Sequence, residues 1–192
     1  MSEEAISSID QAAIDHFIDS LWLQDGLTKN TLSSYRSDLS LFAHWLHTQQ
    51  LSLPVAEYQH IVAYFAHINP RAKPATQRRV LSVLRRFYQH LIFENKISFN
   101  PTLRLMPPQR AERFPKTLSE TQVENLLQAP DDKTLFGVRD RAMLETLYAT
   151  GLRVSELINL KVFEVDLING VVRILGKGSK ERLVPVGDWA LE

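Results

Sequence analysis

Residues 149–186 read ATGLRVSELINLKVFEVDLINGVVRILGKGSKERLVPV, and inside this stretch the apolar spacing changes from helical to strand-like. Up to Leu160 the residues suit a short helix, Arg153 to Leu160, that starts just past the glycine break at Gly151. From Val165 the period becomes two: Val165 and Leu167, then Val171 to Leu175, then Arg182 to Val186. Asn169-Gly170 between apolar runs predicts a tight hairpin turn, and Gly176-Lys177-Gly178-Ser179-Lys180 predicts a second loop. A short antiparallel meander preceded by helices makes this part of the chain α+β.

The helices that precede it carry their own start and stop signals. Ser119 followed three residues later by Gln122 is a capping box, which predicts a helix over Glu120 to Gln128. A further helix is expected from about Val138 to Tyr148, with Ala142, Met143 and Leu147 on its buried face, Tyr148 in the core and Gly151 as its C-terminal cap. Upstream, Pro101, Pro107, Pro108 and Pro115 interrupt residues 100–116, where no apolar period is sustained. This is the composition of an interdomain linker, which fully extended would reach about 45 to 50 Å.

The first 99 residues predict four helices and no strand. The first is Ser8 to Leu23, with Ile9, Ala13, Phe17 and Leu21 as its apolar stripe and Gly26 closing it. The second has Leu32, Tyr35, Leu39, Phe42 and Leu46 on one face, capped by Thr28 or Asn30. The third is Val55 to Ile68, with Tyr58, Ile61, Val62 and Phe65 apolar, ended at Asn69 because a residue before proline is pushed out of the α region. The fourth starts at Pro74, a good first-turn residue, and buries Val80, Leu84, Phe87, Tyr88 and Leu91. The expected organisation is a helical domain over 1–99, a Pro-rich linker over 100–116 and an α+β domain over 117–192.

Composition narrows the function classes. With 192 residues, 44% hydrophobic, the chain can support one large domain or two small ones, each with its own core. Lys+Arg 22 against Asp+Glu 22 cancel, so any case for a nucleic-acid partner has to be local. Cys is absent, which removes disulfides and thiolate chemistry and fits a reducing compartment. The opening MSEEAISSID does not read as a secretory signal and no apolar run is long enough to span a bilayer, so the expected location is the cytoplasm.

The local case exists in two places. Between Glu57 and Glu94 there is no acidic residue, and Arg71, Lys73, Arg78, Arg79, Arg85 and Arg86 fall in that gap. On the fourth helix, Arg78, Arg85 and Arg86 share a face or its edge, which suits contacts to DNA phosphates or guanine edges, or alternatively a solvated helix face. In the second domain, Arg153 starts a helix where its guanidinium could meet a phosphate through two parallel hydrogen bonds, and Lys177 sits between two glycines at a hairpin tip. Their plain alternatives are an Arg153–Glu156 pair one turn apart and an ordinary soluble turn. His44 and His47 are three apart on a helix without a convergent acid, so no metal site is expected there, and Asp131-Asp132 reads as loop solvation after Pro130.

YATGLRVSEL at 148–157 and GKGSKERLVPV at 176–186 resemble the first catalytic-domain motifs of the tyrosine recombinases, specifically of the Xer type. TKNTLSSYRSDL at 28–39 and RFPKTLSETQVENLLQAP at 113–130 are similar to the same proteins, and the likeness covers essentially the whole chain. The resemblance implies a four-helix, SAM-like DNA-binding domain followed by the first part of an α+β catalytic domain with a small antiparallel sheet. It implies roles as well: Arg153 neutralising the scissile phosphate, Glu156 orienting the basic groups, Lys177 as general acid toward the leaving 5′-oxygen. Lys29, Arg36, Arg78, Arg79, Arg85, Arg86, Lys180 and Arg182 are the expected DNA contacts. No cofactor, ATP or obligatory metal is implied, because a tyrosine attacks the phosphodiester and conserves its energy as a 3′-phosphotyrosyl.

The family's His-x-x-Arg motif, its later His or Trp and its nucleophilic tyrosine have no match in these 192 residues. The expectation is therefore a front part that binds duplex DNA without cleaving it. The implied setting is site-specific recombination in chromosome dimer resolution, with a XerC-type partner recombinase in a heterotetramer and an FtsK-type translocase. Two alternatives remain: a stand-alone, non-enzymatic DNA-binding or regulatory protein, and a helical interaction module with no DNA role.

Overall fold

The computed structural model describes residues 6–109, 117–176 and 181–187. The chain divides into two units, Met1–Arg113 and Phe114–Glu192.

Among the described residues the first unit has four helices, α1 (Ser8–Asp25), α2 (Lys29–Thr48), α3 (Tyr58–Ile68) and α4 (Pro74–Phe93), with a 3-10 turn at Leu53–Val55. Each start has a local cause. The Ser7 hydroxyl accepts from the Ile9 N–H, Thr28 accepts from the Thr31 N–H, and Pro74 stands where a missing N–H costs nothing. Gly26 ends α1 in the left-handed region, φ 58°, a conformation that a Cβ would strain.

Alternating spacings of three and four put Leu32, Tyr35, Leu39, Phe42 and Leu46 on one face of α2, as expected; Tyr35 is partly buried and the other four are buried. In α1 the phase differs from expectation. Its buried stripe is Asp10, Ile14, Phe17, Ile18 and Leu21, while Ile9 is exposed. Steps of four residues advance about 400°, so the run 9, 13, 17, 21 drifts round the helix and cannot stay on one face. In α3 the buried residues are Ile61 and Tyr64, with Tyr58 and Val62 exposed. Asn69 keeps α-helical angles (φ −52°, ψ −43°) despite preceding Pro70; the helix ends one residue earlier, at Ile68.

Aromatic contacts join the helices: Phe17 meets Phe87 edge-on at 5.4 Å, and Phe42 lies 4.8 Å from Tyr64. Such pairs contribute about 0.5–1.5 kcal/mol beyond the area they bury. The start of the expected linker belongs to this unit. Asn100 and Thr102 are buried, with the Asn100 side-chain oxygen accepting from the Thr102 N–H at 2.9 Å, and Arg85 donates to the Leu105 carbonyl.

The carboxylate of Asp10 is also fully buried in this unit. Asp10 Oδ1 accepts the Leu53 N–H at 2.7 Å, while Tyr88 donates its hydroxyl to the Leu53 carbonyl at 3.0 Å, so both sides of one turn are clamped. Asp10 Oδ2 has no partner among the described residues, and burial raises the carboxyl above its ordinary value. A raised carboxyl makes its contribution to stability below the unfolded value of 3.8 and loses it as pH climbs through the folded value. Asp10→Asn keeps an acceptor for Leu53 without the charge. Its urea midpoint should exceed the wild-type midpoint at pH 7 and approach it at pH 4; equal midpoints at pH 7 would contradict a raised Asp10.

The second unit begins with α5 (Glu120–Gln128), whose capping box forms as expected: Gln122 N–H to Ser119 Oγ at 3.3 Å, Ser119 N–H to Gln122 Oε1 at 2.9 Å. Then come α6 (Leu135–Thr150), α7 (Val154–Ile158) and a three-stranded antiparallel sheet in the order β1 (Val165–Asp166), β2 (Val171–Leu175), β3 (Glu181–Pro185). Gly151 closes α6 at φ 62°. Alternation along β2 turns Val172 and Ile174 inward onto Leu152, and these three are the buried core of the described part of this unit.

Three expectations are corrected here. Tyr148 is 67% exposed and Ala142 is exposed, so neither is core. The Asn169-Gly170 pair does not make a two-residue turn: Asp166 pairs with Val171, four residues intervene, and of the Asn-Gly pair only Gly170 has positive φ. Asp166 takes over, accepting N–H groups from Ile168 and Asn169, and Leu167 is drawn into the turn.

Candidate functional site

Glu156 is the third residue of α7, and its carboxylate collects four donors. Oε2 accepts the Arg153 backbone N–H at 2.8 Å and Arg182 Nη2 at 2.8 Å; Oε1 accepts Arg153 Nη1 at 2.9 Å and Arg182 Nη1 at 3.1 Å. Local structure makes this possible. Arg153 is the N-cap residue, extended at φ −71° and ψ 149°, so its N–H and side chain both reach Glu156 one turn on. Arg182 arrives on β3, which is paired residue by residue with β2 from Val171↔Pro185 to Leu175↔Glu181.

The Arg182 hydrogen bonds, followed by the Arg153 N–H, push the Glu156 carboxyl down to about 2, so it stays ionised. The same pairing raises Arg182. Two guanidinium groups therefore share one carboxylate, and one positive charge is left over. Glu156 is 10% exposed and Arg153 is 70% exposed, so the acid is sheltered while most of the Arg153 fork faces outward. That arrangement can hold an anionic oxygen with charge-assisted hydrogen bonds.

The Arg153–Glu156 pair one turn apart, weighed above as the alternative to a phosphate site, is present, and among the described residues it leaves part of the guanidinium's donors unused. The role of Arg182 was not legible as such: placed among DNA contacts, it forks onto Glu156 from 26 residues away. Lys177 and Lys180 lie outside the described residues. The strand ends that bracket their loop, Leu175 and Glu181, face each other across the hairpin.

Of the basic residues in the helical unit, Lys29 is exposed at the start of α2 and Arg78 is half-buried on α4. Arg36 pairs with Asp15 and Arg79 with the buried Asp38, while Arg86 Nη2 lies 2.5 Å from Asp25 Oδ2. Arg85 is tied to the Leu105 carbonyl. Surface pairs of this kind contribute about 0–1 kcal/mol and are open to exchange for other anions. Asp38 is the exception: burial raises its carboxyl, and Arg79 offsets part of that. His44 and His47 are exposed on α2 and are not among the described His and acid side chains that lie close enough together to share an ion.

Residues 14–95 match the family model for the phage integrase N-terminal SAM-like domain, and residues 116–192 match that of the phage integrase family. The chain belongs to the phage integrase family. Among curated members it is 49% identical over 185 residues to tyrosine recombinase XerD of Pseudomonas putida, covering 96% of this chain and 62% of that protein. It is 44% identical over 190 residues to tyrosine recombinase XerD of Vibrio cholerae, covering 98% of this chain and 63% of that protein. The chain thus spans a little over three fifths of the length of these relatives. In fold it is similar to a lambda integrase dimer bound to a COC′ core site (TM-score 0.72, 19% identity, 94% of this chain and 64% of that one). It is also similar to the XerH site-specific recombinase bound to difH substrate (TM-score 0.69, 16% identity, 100% of this chain and 68% of that one). The integrase-family fold, helical SAM-like part and small antiparallel sheet included, is as the sequence led one to expect. Among the described residues no helix is long and apolar enough to cross a membrane.

Proposed function

We propose that this chain supplies the DNA-gripping and phosphate-holding parts of a site-specific recombinase that cuts and rejoins duplex DNA through a 3′-phosphotyrosyl intermediate. The observation that carries the reading is the Glu156 carboxylate shared by Arg153 and Arg182, with the Arg153 guanidinium left open. The scissile phosphate docks on that guanidinium, and charge gathering on its non-bridging oxygens as the tyrosine oxygen attacks phosphorus is neutralised there. Lys177 hands a proton to the departing 5′-oxygen.

Lys29, Arg36, Arg78, Arg79, Arg85, Arg86, Lys180 and Arg182 contact DNA in this scheme, with Arg79 and Arg182 also bracing Asp38 and Glu156. Residues 100–116 carry the chain from one face of the duplex to another. The tyrosine nucleophile has no match within these 192 residues, so this chain alone binds and does not cleave. The full setting is chromosome dimer resolution in the cytoplasm, beside a XerC-type partner in a heterotetramer and under an FtsK-type translocase. The relatives named XerD, and the core-site and difH DNA bound in the lambda integrase and XerH complexes, support that setting.

Mobility shift with a Xer-type recombination site against a scrambled duplex at matched salt tests it. Tighter binding to the recombination site is expected, and affinity should fall steeply with salt as counterions are released. Equal binding to both duplexes would remove the sequence-specific part, and salt-independent binding would remove the DNA role.

A further inference from the structure

A cluster in the helical unit is used by none of this. His16 on α1 and His90 on α4 turn their rings toward each other, with Nδ1 of the first 3.2 Å from Nε2 of the second. Glu94, one turn past His90 at the C-cap of α4, places Oε2 3.8 Å from His16 Nδ1. All three ligand atoms lie within 4.8 Å of one another.

Atoms bound tetrahedrally at about 2.0–2.1 Å from one zinc ion sit about 3.3–3.4 Å apart, so 3.2 and 3.8 Å are close to that spacing. Two imidazole nitrogens and one carboxylate oxygen are also the donor set that suits zinc-class ions rather than magnesium. His90 is braced from beneath by the buried Phe17, ring centroids 5.4 Å apart, which limits its freedom to turn away. Lys96 Nζ lies 3.5 Å from the same Glu94 oxygen; it is a half-exposed cation on a flexible stem that an ion would displace.

We propose that His16, His90 and Glu94 bind one divalent ion of the zinc class, with the remaining coordination position open to water. The ion would tie α1 to α4 across 74 residues of chain, and the proposal does not rest on the recombinase reading.

Calorimetric titration of the metal-stripped 192-residue chain with zinc chloride, together with thermal melting, tests the site. Wild type should bind one equivalent and melt at a higher temperature with zinc, whereas magnesium chloride gives neither. His16→Ala, at a half-exposed position, and Glu94→Gln should each weaken zinc binding at least tenfold. The His44→Ala/His47→Ala double variant should bind as wild type does. Far-UV circular dichroism without metal verifies that each variant is folded. No zinc binding by wild type, an affinity in His16→Ala within tenfold of wild type, or loss of binding in the His44/His47 variant overturns the proposal.

Discussion

Arg153→Ala in the full-length recombinase is expected to lower strand cleavage by about 10² to 10³-fold, the scale of losing one preorganised donor to a developing anion, while DNA binding persists. The asymmetry follows from the geometry. Arg153 contributes two hydrogen bonds to Glu156, but Arg182 contributes two more from β3, so the carboxylate stays anchored and the start of α7 keeps its cap through the Arg153 backbone N–H, which alanine retains. What disappears is the outward guanidinium. Affinity for duplex DNA is spread over many phosphates, so one lost contact changes it little. Single-turnover cleavage of a nicked suicide substrate, paired with mobility shift on the same variant, separates the two effects. If binding falls as far as cleavage, Arg153 is a structural residue. Arg153→Lys should recover only part of the rate, since it restores charge without the planar fork.

Gly137→Ala is expected to be the most damaging single methyl in the second unit. A Cβ on Gly137 would overlap the Asp131 backbone carbonyl and lie 2.5 Å from its carbon, and backbone cannot step aside as a side-chain tip can. The same carbonyl organises the start of α6: it accepts the Thr134 N–H at 3.1 Å and the Thr134 hydroxyl at 3.0 Å, and Thr134 in turn caps the Gly137 N–H at 3.0 Å. Overpacking costs about 1–3 kcal/mol and a lost N-cap about 1 kcal/mol. Together these are a large share of the stability of a small domain, and the buried core here rests on Leu152, Val172 and Ile174. Limited proteolysis should show residues 120–150 cut much faster in the variant, with the helical unit as resistant as in wild type. Unchanged cutting would mean that the Asp131 turn relaxes without loss.

What the sequence made legible was what is local. α2 and α4 alternate spacings of three and four, Ser119 and Gln122 are three apart, and Arg153 and Glu156 are likewise one turn apart, so each could be read from a single window. What the sequence did not show depends on contacts distant along the chain. Asp10 belongs to the α1 core because it meets Leu53, a residue 43 positions later. Asp131 is an exposed loop residue, as read, and meets Gly137 on the following helix through its backbone. Arg182 and His90 find their partners across 26 and 74 residues, so no periodicity could have announced either pairing. Asn169-Gly170 was misread for a different reason: Asp166 offers a competing local acceptor, and it captured the turn.

The clamp on Leu53 bears on how the helical unit assembles. Its two hydrogen bonds close loops of 43 and 35 residues at once, so the entropy of ordering the intervening chain is met before either bond exists. Neither bond can form within an isolated helix. Contacts of that separation raise the contact order of an all-helical fold and slow its folding relative to a bundle built from neighbours alone. The clamp on Leu53 is complete only when α1 and α4 are both in place.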